Sequence, residues 1–297
     1  MIFYNDDIHD STERPDLNYL SKTLRFGWSI FQKTIDKQLQ HEDLIVVSLY
    51  RKLLEQLDGL FILVDQDSHS AAKLTARATI ETYTSIKYIM ADNRVLLKER
   101  ATSYFIFNML DEHKFMKDIK NEETLGKIFP NKESLNEKIR RIESYLKTFP
   151  NYQVIYERKK IIEEEKRKGT NRFVKWYTLY TKNNQQIFTL SDLIKYVQGS
   201  KGLNLYSTYS LLSRETHALT AQSDLKITFK QRDVFTNFSE LRYRNTSHES
   251  LYGMVRAFAS TITLNIIDHY FSFNSDEFNE FREFFLSYKN EKEDGSN

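Results

Sequence analysis

The sequence predicts an all-α fold: a multi-helix bundle with a charged helical insertion and at most one short β-hairpin. Apolar residues recur at helical spacing through most of the 297 residues. Only 8 glycines and 3 prolines interrupt the chain, which leaves few positions for tight turns. A chain of this length buries about 75% of its unfolded surface, so a sizeable core is expected, in one large domain or two closely joined ones.

Four helices are predicted in the N-terminal part. The first opens at Asp16 or Asn18, and the loop before the third contains Asp65, Asp67 and His69. These three side chains can ligate a hard divalent cation, but the same residue types form caps and turns, and we predict caps. The four helices cover about 16–35, 41–64, 70–93 and 94–117.

Between about 121 and 168 the composition changes to short apolar repeats in a highly charged background, interrupted by Pro130 and Pro150. We interpret this stretch as a solvent-exposed helical insertion or hairpin. A short helix capped by Ser191 follows, and further helices are predicted over about 203–221, 249–273 and 275–289, with a weakly alternating strand pair at 223–238.

The predicted organisation has three parts. They are an N-terminal helical segment (1–40), a helical core domain (41–273) that contains the insertion, and a C-terminal helix with a frayed tail (274–297).

Composition excludes several classes of protein. The chain has no cysteine, which excludes disulfides, thiolate metal sites and cysteine nucleophiles and suits a reducing cytoplasm. It has no secretory leader pattern and no apolar run of about 18 residues, so no membrane association is expected. The net charge is only +2, so RNA would need a local basic patch, such as the Lys/Arg clusters at 158–168. No metal-binding or cofactor motif is present, and we predict neither.

The stretch YSLLSRETH brings three polar side chains to one helix face. Tyr209, Ser213 and His217 are spaced four residues apart and fall within about 80° of arc. A phenol, a hydroxyl and an imidazole in a row can hold a phosphate or carboxylate, and the imidazole can exchange a proton near neutral pH. The same residues can instead satisfy one another in a packed core. The sequence leaves both interpretations open.

A second polar pair lies in the third predicted helix. Arg77 and Glu81 are one turn apart, beside a face lined with Ala and Ile. If buried, such charges must be paired or hydrogen-bonded, and they would then form a polar centre with Tyr209, Ser213 and His217. If exposed, they form an ordinary surface ion pair of a few tenths of a kcal/mol.

The segment LRYRNTSHE offers a rival site. Arg242 and Arg244 precede His248, close to the start of the predicted apolar helix, where guanidinium and helix-end amides suit a phosphate and the histidine suits proton transfer. The segment resembles the degenerate R-x(4 to 6)-H motif of the HEPN ribonucleases, which are small helical, usually dimeric proteins of toxin and antiphage systems.

Several motifs in order resemble one further family. An A-R-x-x-x-E helix (ARATIETYTSIKYI), an aromatic segment with Trp176, and Y-x-x-L-S-x-x-x-H before a long apolar helix look like the bacterial domain of unknown function 5677. The resemblance covers about 44–273. It implies that one helical core brings together five characteristic polar residues: Arg77, Glu81, Tyr209, Ser213 and His217. It implies no reaction.

Two functions therefore remain open. In one, the protein is an effector of bacterial antiphage defence or a toxin that cleaves RNA without a metal, with His217 or His248 as acid or base and Arg77, Arg242 or Arg244 on the phosphate. In the other, it is a non-catalytic helical sensor or interaction module whose polar centre binds a small ligand or fixes the packing. A homodimer through the apolar helix at about 250–272 is expected in either case.

Overall fold

A computed structural model describes residues 15–121, 132–149, 151–166, 173–182, 187–198, 204–216, 225–230, 233–238 and 249–294. Within these ranges the chain is a multi-helix all-α protein with one antiparallel two-stranded hairpin, as predicted. Its elements are α1 (Pro15–Ile35), α2 (His41–Asp65), α3 (His69–Met90), α4 (Arg94–Asn121), α5 (Lys132–Thr148), α6 (Tyr152–Lys166), a 3₁₀ turn (Trp176–Thr178), α7 (Leu190–Gln198), α8 (Leu205–Thr216), β1 (Leu225–Lys230), β2 (Asp233–Phe238), α9 (Glu249–Tyr270) and α10 (Asp276–Asp294).

Side-chain hydrogen bonds cap the starts of several described helices. At α10 the Ser275 hydroxyl accepts a hydrogen bond from the Phe278 N–H at 3.2 Å, as the predicted start at Ser275 requires. At α7 the predicted cap at Ser191 is wrong. Thr189 and Asp192 form a reciprocal capping box there, in which each backbone N–H donates to the other's side chain at 3.1–3.2 Å.

The chain divides into two compact units. The terminal unit comprises residues 1–87 and 194–297, and the central unit comprises residues 88–193. The predicted segment 41–273 therefore contains residues of both units, because the central unit begins inside α3 and ends inside α7, at positions that composition does not mark.

In the terminal unit, α1 packs against α2, α9 and α10. Gly27 lets α1 and α2 approach closely: a Cβ there would lie 2.9 Å from Leu54 Cδ2. The buried Tyr50 hydroxyl uses this approach, since it donates to the Gly27 carbonyl at 3.0 Å and lies 2.8 Å from the Thr263 hydroxyl of α9. Burial raises the pKa of Tyr50, which keeps the phenol neutral.

The long apolar helix α9 packs against α1, α2 and α10 of its own unit, and its Phe258 ring stacks on Tyr83 of α3 with centroids 4.3 Å apart. Its buried side chains include Val255, Phe258, Ile262 and Ile266. Intramolecular packing thus accounts for much of the apolar character from which a homodimer was predicted. The dimer itself remains a prediction.

In the central unit, α4 packs against α5, α6 and the 3₁₀ turn. The described residues of the charged insertion therefore form two helices, and apolar side chains of both are buried against the unit: Ile142, Leu146 and Ile155 share a core with Ile106 and Phe107. The polar and charged residues of α5 and α6 occupy the opposite, exposed faces.

Arg100 of α4 is fully buried at the centre of this unit. Its guanidinium donates to the carbonyls of Tyr88, Ala91 and Tyr180 at 2.8–3.0 Å and to the Asp92 carboxylate at 3.0 Å. It also lies 4.2 Å from the Tyr88 ring centroid. One side chain therefore ties the end of α3, the turn before α4 and the segment around Tyr180 together.

No described helix is long and apolar enough to span a bilayer.

Candidate functional site

Three predicted site residues meet in the terminal unit, where α3 faces α8. Arg77 Nη2 donates a hydrogen bond to the Tyr209 hydroxyl at 3.1 Å. That hydroxyl donates in turn to Glu81 Oε1 at 3.3 Å. Arg77 Nε also lies 3.4 Å from Glu81 Oε1, so the three groups close a triangle of short contacts. We call these three residues the polar centre.

Local contacts hold the two helices of the polar centre in place. The Asn204 carboxamide caps α8 by accepting from the Ser207 N–H at 3.3 Å, and Gln198 Oε1 accepts from the Tyr206 N–H at 3.0 Å. These bonds fix the first turn of α8 and hence the direction of Tyr209 in the second turn. On α3, Arg77 and Glu81 share a face because they are four residues apart.

The polar centre is neither a dry core network nor a surface ion pair. The Arg77 side chain is 20% exposed and that of Glu81 is 40% exposed, whereas Tyr209 is buried. The guanidinium also lies 5.2 Å from the Tyr209 ring centroid. Solvent therefore reaches the carboxylate end, while the phenol and part of the guanidinium are shielded.

The hydrogen-bonding capacity of Arg77 is not fully used. Its Nε is buried, and although it lies at ion-pair distance from Glu81, no described residue accepts a well-aligned hydrogen bond from it. A guanidinium has five N–H donors in a fixed fork. The buried Nε is out of reach of a ligand, but the side chain is 20% exposed, and Nη2 makes the one well-aligned hydrogen bond from Arg77 to a described residue, so the other terminal N–H groups can donate to an oxyanion.

Sequence reasoning overlooked Thr84, which lies one turn beyond Glu81 on α3. Its side chain is fully buried, and within the described part of the chain its hydroxyl has no hydrogen-bond partner. The available signal was its spacing, since positions 81 and 84 share a helix face. A buried hydroxyl without a partner is uncommon in folded proteins.

Of the remaining predicted residues, the structure describes Ser213 alone. Ser213 lies on α8 one turn beyond Tyr209 and takes part in none of the described hydrogen bonds. His217 directly follows the end of α8 and lies outside the described residues, as do Arg242, Arg244 and His248. In the described ranges, no group of three or more His, Asp or Glu side chains is placed to hold a metal ion.

Comparison with protein families gives a match over most of the chain. A family model described as "Family of unknown function (DUF5677)" matches residues 43–233. The chain belongs to the DUF5677 family. No curated protein and no solved structure matches it. The matched range contains the whole polar centre and His217, whereas Arg242, Arg244 and His248 lie beyond its end.

Proposed function

We propose that this DUF5677 protein is a metal-independent ribonuclease that acts as an effector of bacterial antiphage defence or as a toxin. The observation that carries the proposal is the half-buried Arg77, whose Nη2 donates to the Tyr209 hydroxyl and whose side chain is 20% exposed. A guanidinium at such a position suits a phosphodiester group, because it binds phosphate oxygens through a rigid fork of donors.

The chemistry follows from the residue types. Arg77 and the Tyr209 hydroxyl bind the non-bridging oxygens of the scissile phosphate and stabilise the charge that develops there. One of His217 and His248 takes the proton of the ribose 2′-hydroxyl, whose oxygen then attacks phosphorus. The other protonates the 5′-oxygen as the P–O bond breaks. The products are a 2′,3′-cyclic phosphate and a 5′-hydroxyl, and no metal is required.

Arg242 and Arg244 supply further positive charge in this proposal. The pair Arg242 and His248 has the spacing of the HEPN motif, with five residues between them. We propose that this segment contributes the second histidine, with either arginine on the phosphate.

Glu81 favours a second candidate function. Its carboxylate lies 3.4 Å from Arg77 and is 40% exposed, so it competes with an anion for the guanidinium. A ligand that carries both a donor and an acceptor would satisfy Glu81 and Arg77 together. The alternative is therefore a non-catalytic sensor module that binds a small polar ligand at the same centre.

The test is cleavage of a fluorogenic single-stranded RNA by the full-length protein in the presence of EDTA. We expect cleavage of RNA and no cleavage of the same sequence as DNA, which lacks the 2′-hydroxyl. Arg77→Ala should lower kcat/KM by roughly 100-fold or more, as the loss of a group that stabilises transition-state charge does. His217→Ala and His248→Ala should each lower kcat by about 100-fold or more.

Arg51→Ala is the matched control, because Arg51 forms an ion pair with Glu55 at the same i, i+4 spacing but on the surface of α2. It should cleave RNA like the unsubstituted protein. Absence of RNA cleavage by a folded protein would reject the ribonuclease proposal. If Arg77→Ala then also abolished heat-shift stabilisation by a polar metabolite, the sensor alternative would be supported.

A further inference from the structure

The two compact units carry opposite net charge, although the whole chain is nearly neutral. The central unit has 21 Lys and Arg against 15 Asp and Glu, a net charge of +6. The remaining residues have 22 basic against 26 acidic side chains, a net charge of −4. A polyanion is therefore attracted to the central unit in preference to the terminal unit.

The helices α5 and α6 of the central unit carry a row of aromatic rings on each side of the turn that joins them. At the end of α5, the ring centroids of Tyr145 and Phe149, the residue after the helix, lie 5.9 Å apart. On α6, those of Tyr152 and Tyr156 lie 5.8 Å apart. Both pairs have i, i+4 spacing, and the Tyr152 N–H donates to the Phe149 carbonyl at 3.1 Å across the turn.

Two of these rings are open to solvent. Tyr145 is 43% exposed and Tyr156 is 37% exposed, while Phe149 and Tyr152 are half-buried. The Tyr145 ring also packs edge-on against Phe105 of α4, with centroids 5.7 Å apart. Rigid, supported and exposed aromatic rings are what stacking with a nucleobase requires.

Each exposed ring has a basic residue one helical turn away on the same helix. Arg141 precedes Tyr145 by four residues, and Lys160 follows Tyr156 by four, with its Nζ 6.0 Å from the Tyr156 ring centroid. Arg141 lies 3.6 Å from Glu137, but both side chains are more than 70% exposed. Such a pair contributes little, so Arg141 can exchange this partner for a phosphate.

We propose that this row binds single-stranded RNA, with bases stacked on Tyr145 and Tyr156 and phosphates paired with Arg141 and Lys160. Single strands fit because their bases are free to stack, whereas a duplex keeps its bases paired inside. The inference rests on the proposed ribonuclease for the choice of RNA and assigns the surface that holds the substrate.

The experiment is fluorescence anisotropy of a labelled 2′-O-methyl oligouridine with the full-length protein over a range of salt concentrations. The methyl group prevents attack by the 2′-oxygen, so binding is measured without cleavage. Tyr145→Ala and Tyr156→Ala should each weaken binding by about tenfold, the loss of one stacked base. A plot of the logarithm of the association constant against the logarithm of salt concentration has a negative slope. The double variant Arg141→Ala/Lys160→Ala should make this slope shallower by about 1.4, because two phosphate contacts are lost.

Two control variants test specificity. Phe285→Ala removes a comparably exposed ring of the terminal unit, and Lys98→Ala removes an exposed lysine of the central unit outside the row. Neither should match the loss in the row variants. Any of three results would overturn the inference. Lys98→Ala could weaken RNA binding as much as Lys160→Ala does, the two tyrosine variants could bind RNA like the unsubstituted protein, or the protein could bind a duplex in preference to the single strand.

The outcome is separable from that of the ribonuclease proposal. Binding that depends on the row without any cleavage of ordinary RNA would reject the ribonuclease and retain the RNA-binding surface. If the double variant Tyr145→Ala/Tyr156→Ala cleaves RNA at the normal rate and binds it with normal affinity, the RNA-binding surface is rejected and the ribonuclease proposal is retained.

Discussion

Replacing Arg100 should destabilise the central unit more than any change at its surface. The side chain is fully buried and donates four hydrogen bonds, three to backbone carbonyls and one to the Asp92 carboxylate. Arg100→Met keeps much of the aliphatic volume but removes every donor. All four acceptors then lose this donor, although the Tyr180 carbonyl still accepts from the Tyr88 hydroxyl and the Asp92 carboxylate still accepts from Lys182.

The size of the effect can be bounded from these contacts. A buried hydrogen bond to a charged group contributes about 1.5–3 kcal/mol, and the four bonds are not additive because they share one guanidinium. Removing one partner of a fully buried ion pair typically costs about 3–5 kcal/mol, and the cost here is at the low end of that range or below it because the Asp92 side chain is 16% exposed and keeps Lys182 as a partner. We expect Arg100→Met to lower the free energy of unfolding by about 4 kcal/mol. Arg100→Lys should lower it by roughly 2 kcal/mol, since an ammonium cannot reach all four acceptors.

The two tryptophans allow the units to be followed separately by fluorescence. Trp28 lies in the terminal unit, and Trp176 lies in the central unit beside Tyr88. Urea unfolding is therefore measured in a Trp28→Phe background, where Trp176 reports the central unit alone. Arg141→Ala is the matched control in the same unit, with an expected loss below about 0.5 kcal/mol because its ion pair with Glu137 is exposed. A loss below about 1 kcal/mol for Arg100→Met would contradict the reasoning.

Two further predictions concern stability. Tyr50→Phe should lower the free energy of unfolding of the terminal unit by about 1–3 kcal/mol, because the Gly27 carbonyl and the Thr263 hydroxyl lose a buried partner. Trp28 fluorescence in urea, in a Trp176→Phe background, measures this change. A loss below about 0.3 kcal/mol would argue against a contribution from these hydrogen bonds. The hydrogen bond from Lys182, followed by that from Arg100, lowers the pKa of Asp92. This contribution to stability is present above the unfolded pKa of about 3.9 and is lost as pH falls through the lower folded pKa. Stability of the central unit should therefore fall below about pH 4, and less steeply in Asp92→Asn; identical pH profiles would refute this assignment.

The helices were predictable because their signals are local. Apolar spacing predicted α1 to α4 with boundaries within a few residues of those observed, and Ser275 marked the start of α10. The misplaced cap of α7 has a local cause as well. Ser191 and Thr189 are both good caps, and only the pairing of Thr189 with Asp192 distinguishes them.

The meeting of Arg77, Glu81 and Tyr209 was predictable only in part. Helical spacing placed Arg77 and Glu81 on one face, and the family pattern grouped both with Tyr209. Neither signal shows that Arg77 and Tyr209, which are 132 residues apart in the chain, form a hydrogen bond. The degree of burial was equally inaccessible, because it depends on which neighbouring elements cover the pair.

The burial of Arg100 was even less predictable from the sequence. In the sequence it is one arginine among many on a helix with polar residues on several sides, and nothing local distinguishes it from an exposed side chain. Its acceptors are mostly backbone carbonyls, which every residue possesses and which no pattern of side chains reports.

The sequence by itself determined the helical class, the positions of most helices, the exclusion of cysteine chemistry and the residue types available for a site. These properties depend on the residue types and on their spacing over one or two helical turns, so a short segment of sequence is enough to predict them. Tertiary structure alone decided that the charged insertion packs on α4, that Arg100 is buried while Arg77 is half open, and that the units carry opposite charge. Each of these depends on contacts between distant parts of the chain, whose free energy is not a property of any short segment.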